Sequence, residues 1–125
     1  MAEFSVLVVA QPGRTRDGLQ ALLMAVAQVK IVGLAQDIPS AFELDTEHHP
    51  ELVLLDSSAC DGMVSDAINR IQVKWPGARC LVLVSSVREQ QAAVSAGADG
   101  VLLRGFPATK FFKVIEMLAR ETVQQ

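Results

Sequence analysis

Five short, almost unbroken apolar runs rich in β-branched residues, separated by stretches of helical period, leave this chain few ways to fold. The runs are Phe4 to Ala10, Ile31 to Gln36, Glu51 to Asp56, Arg79 to Ser85 and Gly100 to Arg104. Polar residues seldom alternate with apolar ones inside them, which is the pattern of parallel strands covered on both faces. Between the runs, Leu19, Leu22, Leu23 and Val26 fall at i, i+3, i+4 and i+7. Val64, Ala67, Ile68 and Ile71 repeat that spacing with Trp75 one turn on, and Phe111, Val114, Ile115 and Leu118 repeat it again. Each set places one apolar stripe on a helix. Pro107 suits the first turn of the last helix. Shorter helices are expected around Pro39 to Glu47, with Asp37 or Ser40 as cap, and around Glu89 to Ala96, stopped by Gly97.

The resulting order is strand then helix, five times over. Right-handed crossovers turn that order into an open parallel sheet with helices on both faces, a doubly wound α/β domain. A chain of 125 residues, 50% of them hydrophobic, suits one such domain over residues 1–125. Eleven Lys and Arg against fourteen Asp and Glu, with no basic stripe, argue against nucleic-acid binding. The apolar runs are far shorter than the ~20 residues of a membrane helix. Met1-Ala2-Glu3-Phe4 carries no export signal, so a cytoplasmic protein is expected. Cys60 lies past the carboxyl end of the third strand and Cys80 opens the fourth, about a strand length, ~17 Å, apart. A disulfide needs Cα atoms within ~7 Å, so two free thiols are expected.

In a sheet of this kind, chemistry sits beyond the carboxyl ends of the strands. Ala10 to Gly13, Asp56 to Gly62, Ser85 to Val87 and Arg104 to Pro107 lie there. Asp56 is the one carboxylate positioned for chemistry, and two readings stand beside each other: a reactive group, or a residue that caps the following turn. Gln11-Pro12-Gly13-Arg14 matches no phosphate-loop spacing and is read as a tight turn. His48 and His49 adjoin one another at an expected helix end, and adjacent helical residues point in different directions, so they make no metal pair. Phe106, Phe112 and Met117 offer a contact face. Phe112, off the main stripe of its helix, suggests a homodimer.

Pro50-Glu51-Leu52-Val53-Leu54-Leu55-Asp56, Asp61-Gly62, Ser85-Ser86 and Ala96-Gly97-Ala98-Asp99-Gly100-Val101-Leu102-Leu103-Arg104 together resemble the receiver domain of bacterial two-component response regulators. Arg16-Asp17-Gly18-Leu19-Gln20-Ala21-Leu22-Leu23 and Ile31-Val32-Gly33-Leu34-Ala35 look most like receivers of the LuxR type. The likeness spans essentially the whole chain and implies a flavodoxin-like sheet of strand order 2-1-3-4-5. In LuxR-type proteins a DNA-binding domain usually follows. This chain ends at Gln125, so either a stand-alone receiver or one separated from its output domain is expected.

The resemblance implies Asp56 as phosphoacceptor, Ser85 as switch hydroxyl and Arg104 in place of the family lysine, with Gly105 where proline or aspartate commonly follows. The acidic-pair positions that hold Mg²⁺ in the family read Ala10 and Gln11. Neither supplies a charge to a hard cation that wants carboxylates, so no metal or other cofactor is expected. Arginine keeps the lysine charge but not its compact shape, and its planar fork suits direct pairing with Asp56. The loop after Asp56 lacks the family Met-Pro segment, and Ser85 to Gly97 looks short for a full fourth helix. Val101 stands where a switching aromatic is common. The expected protein is therefore not an enzyme but an atypical receiver in phosphorelay signalling. It would act by phosphorylation-independent contact with a histidine kinase or another signalling protein. A phosphoacceptor modified on Asp56, and a module holding a small anion on Ser85 and Arg104, are the alternatives.

Overall fold

A computed structural model describes residues 3–44 and 49–123. Its strands are β1 (Phe4–Val9), β2 (Val29–Ala35), β3 (Leu52–Asp56), β4 (Arg79–Val84) and β5 (Gly100–Leu103). Its α-helices are α1 (Arg14–Met24), α2 (Ile38–Glu43), α3 (Val64–Lys74), α4 (Val87–Ser95) and α5 (Ala108–Val123). All strand pairs are parallel, in the order β2-β1-β3-β4-β5, as the alternation and the resemblance predict.

Strand period two splits the central strands between two apolar layers. Leu7, Val9, Val53, Leu55, Val82 and Val84 face one layer with α2, α3 and α4, where Ile68, Ile71 and Trp75 are buried. Val6, Val8, Leu52, Leu54, Leu81 and Leu83 face the other, against Leu19 and Leu23 of α1 and Phe111, Ile115 and Leu118 of α5. Because both faces are covered, the apolar runs needed no polar alternation. The expected helical stripes are the residues that make these layers.

Three elements differ from the sequence expectation. Strand β2 starts at Val29, two residues before the apolar run. Exposed Lys30 pairs with Ser5, and Val32 is passed over between the pairs Val6–Ile31 and Leu7–Gly33. β2 is a sheet edge, where such an irregularity is easily accommodated. Gly33 lets the strand pack closely there, since a Cβ would come within 2.8 Å of Leu44 Cδ1 and 3.0 Å of Leu7 Cδ1 and those leucine ends would have to shift.

Helix α4 is the second difference. Nine residues do form a helix between Ser85 and Gly97, because Ser86 caps it two residues earlier than expected: its hydroxyl accepts the Glu89 amide at 3.1 Å. Gly97 ends it at φ +94°, a conformation glycine adopts without strain.

The third is Phe112, which is half-buried in its own core, edge-on to Phe111 with ring centroids 5.9 Å apart. Phe106 likewise stacks on Phe111 at 5.9 Å. Part of their apolar surface is thus used inside the domain. Helix α2 is capped by Asp37, which accepts the Ser40 amide at 2.8 Å. It ends at Glu43, so the end expected at Glu47 and the residue His48 lie outside the described residues. His49 is exposed, not on a helix, and precedes the amino end of β3.

Candidate functional site

The carboxyl ends of β1, β3, β4 and β5 bring Ala10, Asp56, Ser85 and Arg104 to one edge of the sheet. Asp56 is the last residue of β3, the strand between β1 and β4, and is only 2% exposed. A buried carboxylate must be bonded or matched by charge, and this one is both. Its Oδ1 accepts the Ser58 amide at 3.3 Å and its Oδ2 accepts the Ser58 hydroxyl at 2.8 Å, which caps the short 3₁₀ turn Ser57–Ala59. The turn-capping reading of Asp56 is thus correct as far as it goes.

Arg104 supplies the charge. It leaves the end of β5 and uses three different nitrogens: Nη2 donates to Asp56 Oδ1 at 2.5 Å, Nε to Ser85 Oγ at 2.7 Å, and Nη1 to Thr15 Oγ1 at 3.2 Å. The planar fork reaches the three acceptors from three separate nitrogens, whereas a lysine would have to reach all of them from one. Gly105 follows at φ +93°, and the Phe106 amide bonds back to the Leu103 carbonyl at 3.2 Å. Glycine at this place turns the backbone away from the site toward α5, leaving the arginine side chain at the sheet end. The direct pairing of Arg104 with Asp56 expected from the sequence is present.

Outside the strand-end segments picked out from the sequence, two further participants appear. Thr15 is one, in the first turn of α1. Glu89 is the other: its Oε1 accepts the Ser57 hydroxyl at 3.0 Å and the Ser85 amide at 2.7 Å, tying the β3 and β4 loops together. Ser86-x-x-Glu89 is a helix-start signature, and that signal was available in the sequence. Nothing local marks Thr15, whose partner lies 89 residues away.

A divalent cation fits this edge poorly. Mg²⁺ demands near-octahedral oxygen ligands with carboxylates among them. Ala10 presents a fully buried methyl, Gln11 is exposed and neutral, and both oxygens of Asp56 are already engaged. Among the described residues no cluster of three metal-ligating side chains exists. Close by, the Cys60 thiol donates to the Asp56 carbonyl at 3.7 Å. Burial, with the negative charges of Asp56, Glu89 and Asp61 adding to it, pushes that thiol up to about 12. Cys80 is pushed up to about 12 by burial first and Asp99 second. Both cysteines are free and buried, as expected.

Solved structures of the same architecture exist. A CheY-like response regulator receiver domain protein from Methanospirillum hungatei JF-1 matches with a TM-score of 0.79 at 15% identity, over 98% of each chain. The RcsB response regulator of Salmonella typhimurium matches at 0.81 and 15% identity, over 97% of this chain and 61% of that one, so the chain spans about three fifths of that protein. A LuxR-family two-component response regulator from Aurantimonas sp. SI85-9A1 matches at 0.80 and 22% identity, over 94% of this chain and 86% of that one. No family model matches the sequence, and no curated protein does. The likeness is one of fold: this chain has the receiver fold of response regulators, as the resemblance implied. No described helix is long and apolar enough to cross a membrane.

Proposed function

We propose that this chain is an atypical receiver domain in two-component signalling that works by protein contact, with its phosphorylation pocket closed by its own Arg104. One observation carries the reading. The Arg104 guanidinium lies between Asp56 and Ser85, bonded to both, where a phosphoryl group on Asp56 would have to be received. An incoming phosphoryl group is anionic and meets a carboxylate already paired. Without a second acidic residue no metal is held here to bridge the phosphoryl group to Asp56, and Arg104 is already committed to Asp56, Ser85 and Thr15.

The clamp also fixes the Ser85 loop in one position from both sides, Arg104 holding the hydroxyl and Glu89 the amide. On this reading the surface next to it is constant rather than switched. Exposed Val87 and Val94 on α4 and Leu103 on β5, elements that pack on each other, supply apolar surface for a histidine kinase or another signalling protein. Such a module binds and does not catalyse.

The test is phosphoryl transfer from a small acyl phosphate, or beryllofluoride binding, in the presence of Mg²⁺. Wild type is expected to take up no label and to keep an unchanged amide NMR spectrum. Label on wild type that Asp56→Asn abolishes would overturn the reading in favour of a working phosphoacceptor.

A further inference from the structure

Beside Arg104, a cleft of about 420 Å³ opens between α1, the end of β4 and the turn into α5. Arg14 and Arg104 line it, with Leu22, Leu83 and Phe106 as apolar wall and Gly18 between them. Among the described residues no acidic side chain lines it, and Arg14 is exposed and makes no ion pair. The amino end of α5, whose first turn also lacks an acid, borders the same opening at Ala108. The field in the cleft therefore favours an anion.

Gly18 is the second observation. It sits inside α1, where glycine is the poorest residue after proline. Its backbone is ordinary helix, and a Cβ there would meet nothing within 4 Å. Neither strain nor packing inside the chain requires glycine at this position. What its bare surface does is keep the cleft deep.

We propose that this cleft binds a small amphipathic carboxylate, its head on Arg14 and the outer edge of Arg104 and its apolar body over Gly18 against Leu22, Leu83 and Phe106. A bare inorganic anion would leave the apolar wall wet, and a neutral ligand would leave Arg14 unused. The volume is at the small end of ordinary ligand sites, which suits a ligand of roughly a dozen non-hydrogen atoms. The inference goes beyond the proposed function and does not depend on it, since it requires neither an inert Asp56 nor a protein partner.

Titration of the isotope-labelled chain with 4-phenylbutyrate, followed by amide NMR, tests the site, with 4-phenylbutanamide and inorganic phosphate in parallel. The carboxylate is expected to give saturable shifts at Thr15, Gly18, Leu22, Gly105 and Phe106, with a Kd in roughly the low-millimolar range or tighter. The amide should bind at least about fivefold more weakly, as loss of a charge-assisted contact implies, and phosphate should leave Gly18 and Leu22 unmoved. Gly18→Leu fills the space and should abolish the shifts without lowering the unfolding temperature, because leucine is the better helix former. Arg14→Gln, an exposed change outside the core, should weaken binding about five- to tenfold. Absence of saturation, equal binding of the amide, the same response to phosphate, or shifts that survive Gly18→Leu would each overturn the site.

Discussion

Replacing Arg104 by methionine should destabilise the domain more than replacing Asp56 by asparagine, although both remove the same ion pair. Methionine keeps an apolar stem of similar length, so the change mainly deletes the charge. It strands a carboxylate that is 2% exposed, whereas Arg104 itself is 34% exposed and can turn to water when its partner is lost. Breaking a buried pair from one side costs about 3–5 kcal/mol. Solvent on the arginine side and the two bonds from Ser58 reduce that here to about 2–3 kcal/mol for Arg104→Met, because each retained bond is worth about 1 kcal/mol. Asp56→Asn leaves no buried charge and should cost about 1 kcal/mol. In urea unfolding with a slope of about 2 kcal/mol per M, the arginine variant should shift the midpoint down by about 1 M or somewhat more. The double variant should show a coupling of about 1–2 kcal/mol. A coupling below about 0.5 kcal/mol, or a larger loss from Asp56→Asn than from Arg104→Met, would refute the clamp as a stabilising element.

Other outcomes follow from the same geometry. Ala10→Asp with Gln11→Asp should fail to bind Mg²⁺ while Arg104 holds Asp56, and adding Arg104→Lys should permit binding, read by Mg²⁺ titration in NMR; recovery in the double variant would show that only the missing acids mattered. Glu89→Ala removes an acceptor of two bonds at a partly exposed place and should cost about 1–2 kcal/mol in chemical unfolding. Phe111→Ala, in contact with two other rings and fully buried, should cost about 3–5 kcal/mol. The two thiols have a folded pKa above the ordinary 9.0, so their contribution to stability is complete below pH 9 and is lost as pH rises from there toward about 12. Cys60 and Cys80 should also resist thiol reagents at neutral pH until the chain unfolds.

The strands, the helical stripes and the parallel sheet were legible in the sequence because both are periodic burial signals. A strand hidden on both faces must be apolar almost throughout, and a helix on one face needs a stripe every three to four residues. Asp56, Ser85 and Arg104 could be located for a related reason: parallel topology sends the carboxyl ends of strands to the same edge, wherever the intervening chain goes. Even the pairing of Arg104 with Asp56 could be anticipated from the shape of guanidinium beside a lone acid.

Tertiary structure decided the rest, since a hydrogen bond over long separations leaves no periodic trace. Thr15 became the third acceptor of Arg104 across 89 residues, and Glu89 the tie between two loops, through side-chain directions that spacing does not encode. Phe112, off the main stripe of its helix, packs partly against its own core because the neighbouring ring of Phe111 is there to receive it. Lys30 entered an edge strand despite its charge, since an edge leaves one side of the strand in water. Composition and period thus determined which residues are buried and at which end of the sheet the polar ones gather. Which of those polar groups bond to one another was settled only when the packed elements fixed their distances, because such bonds depend on tenths of an ångström.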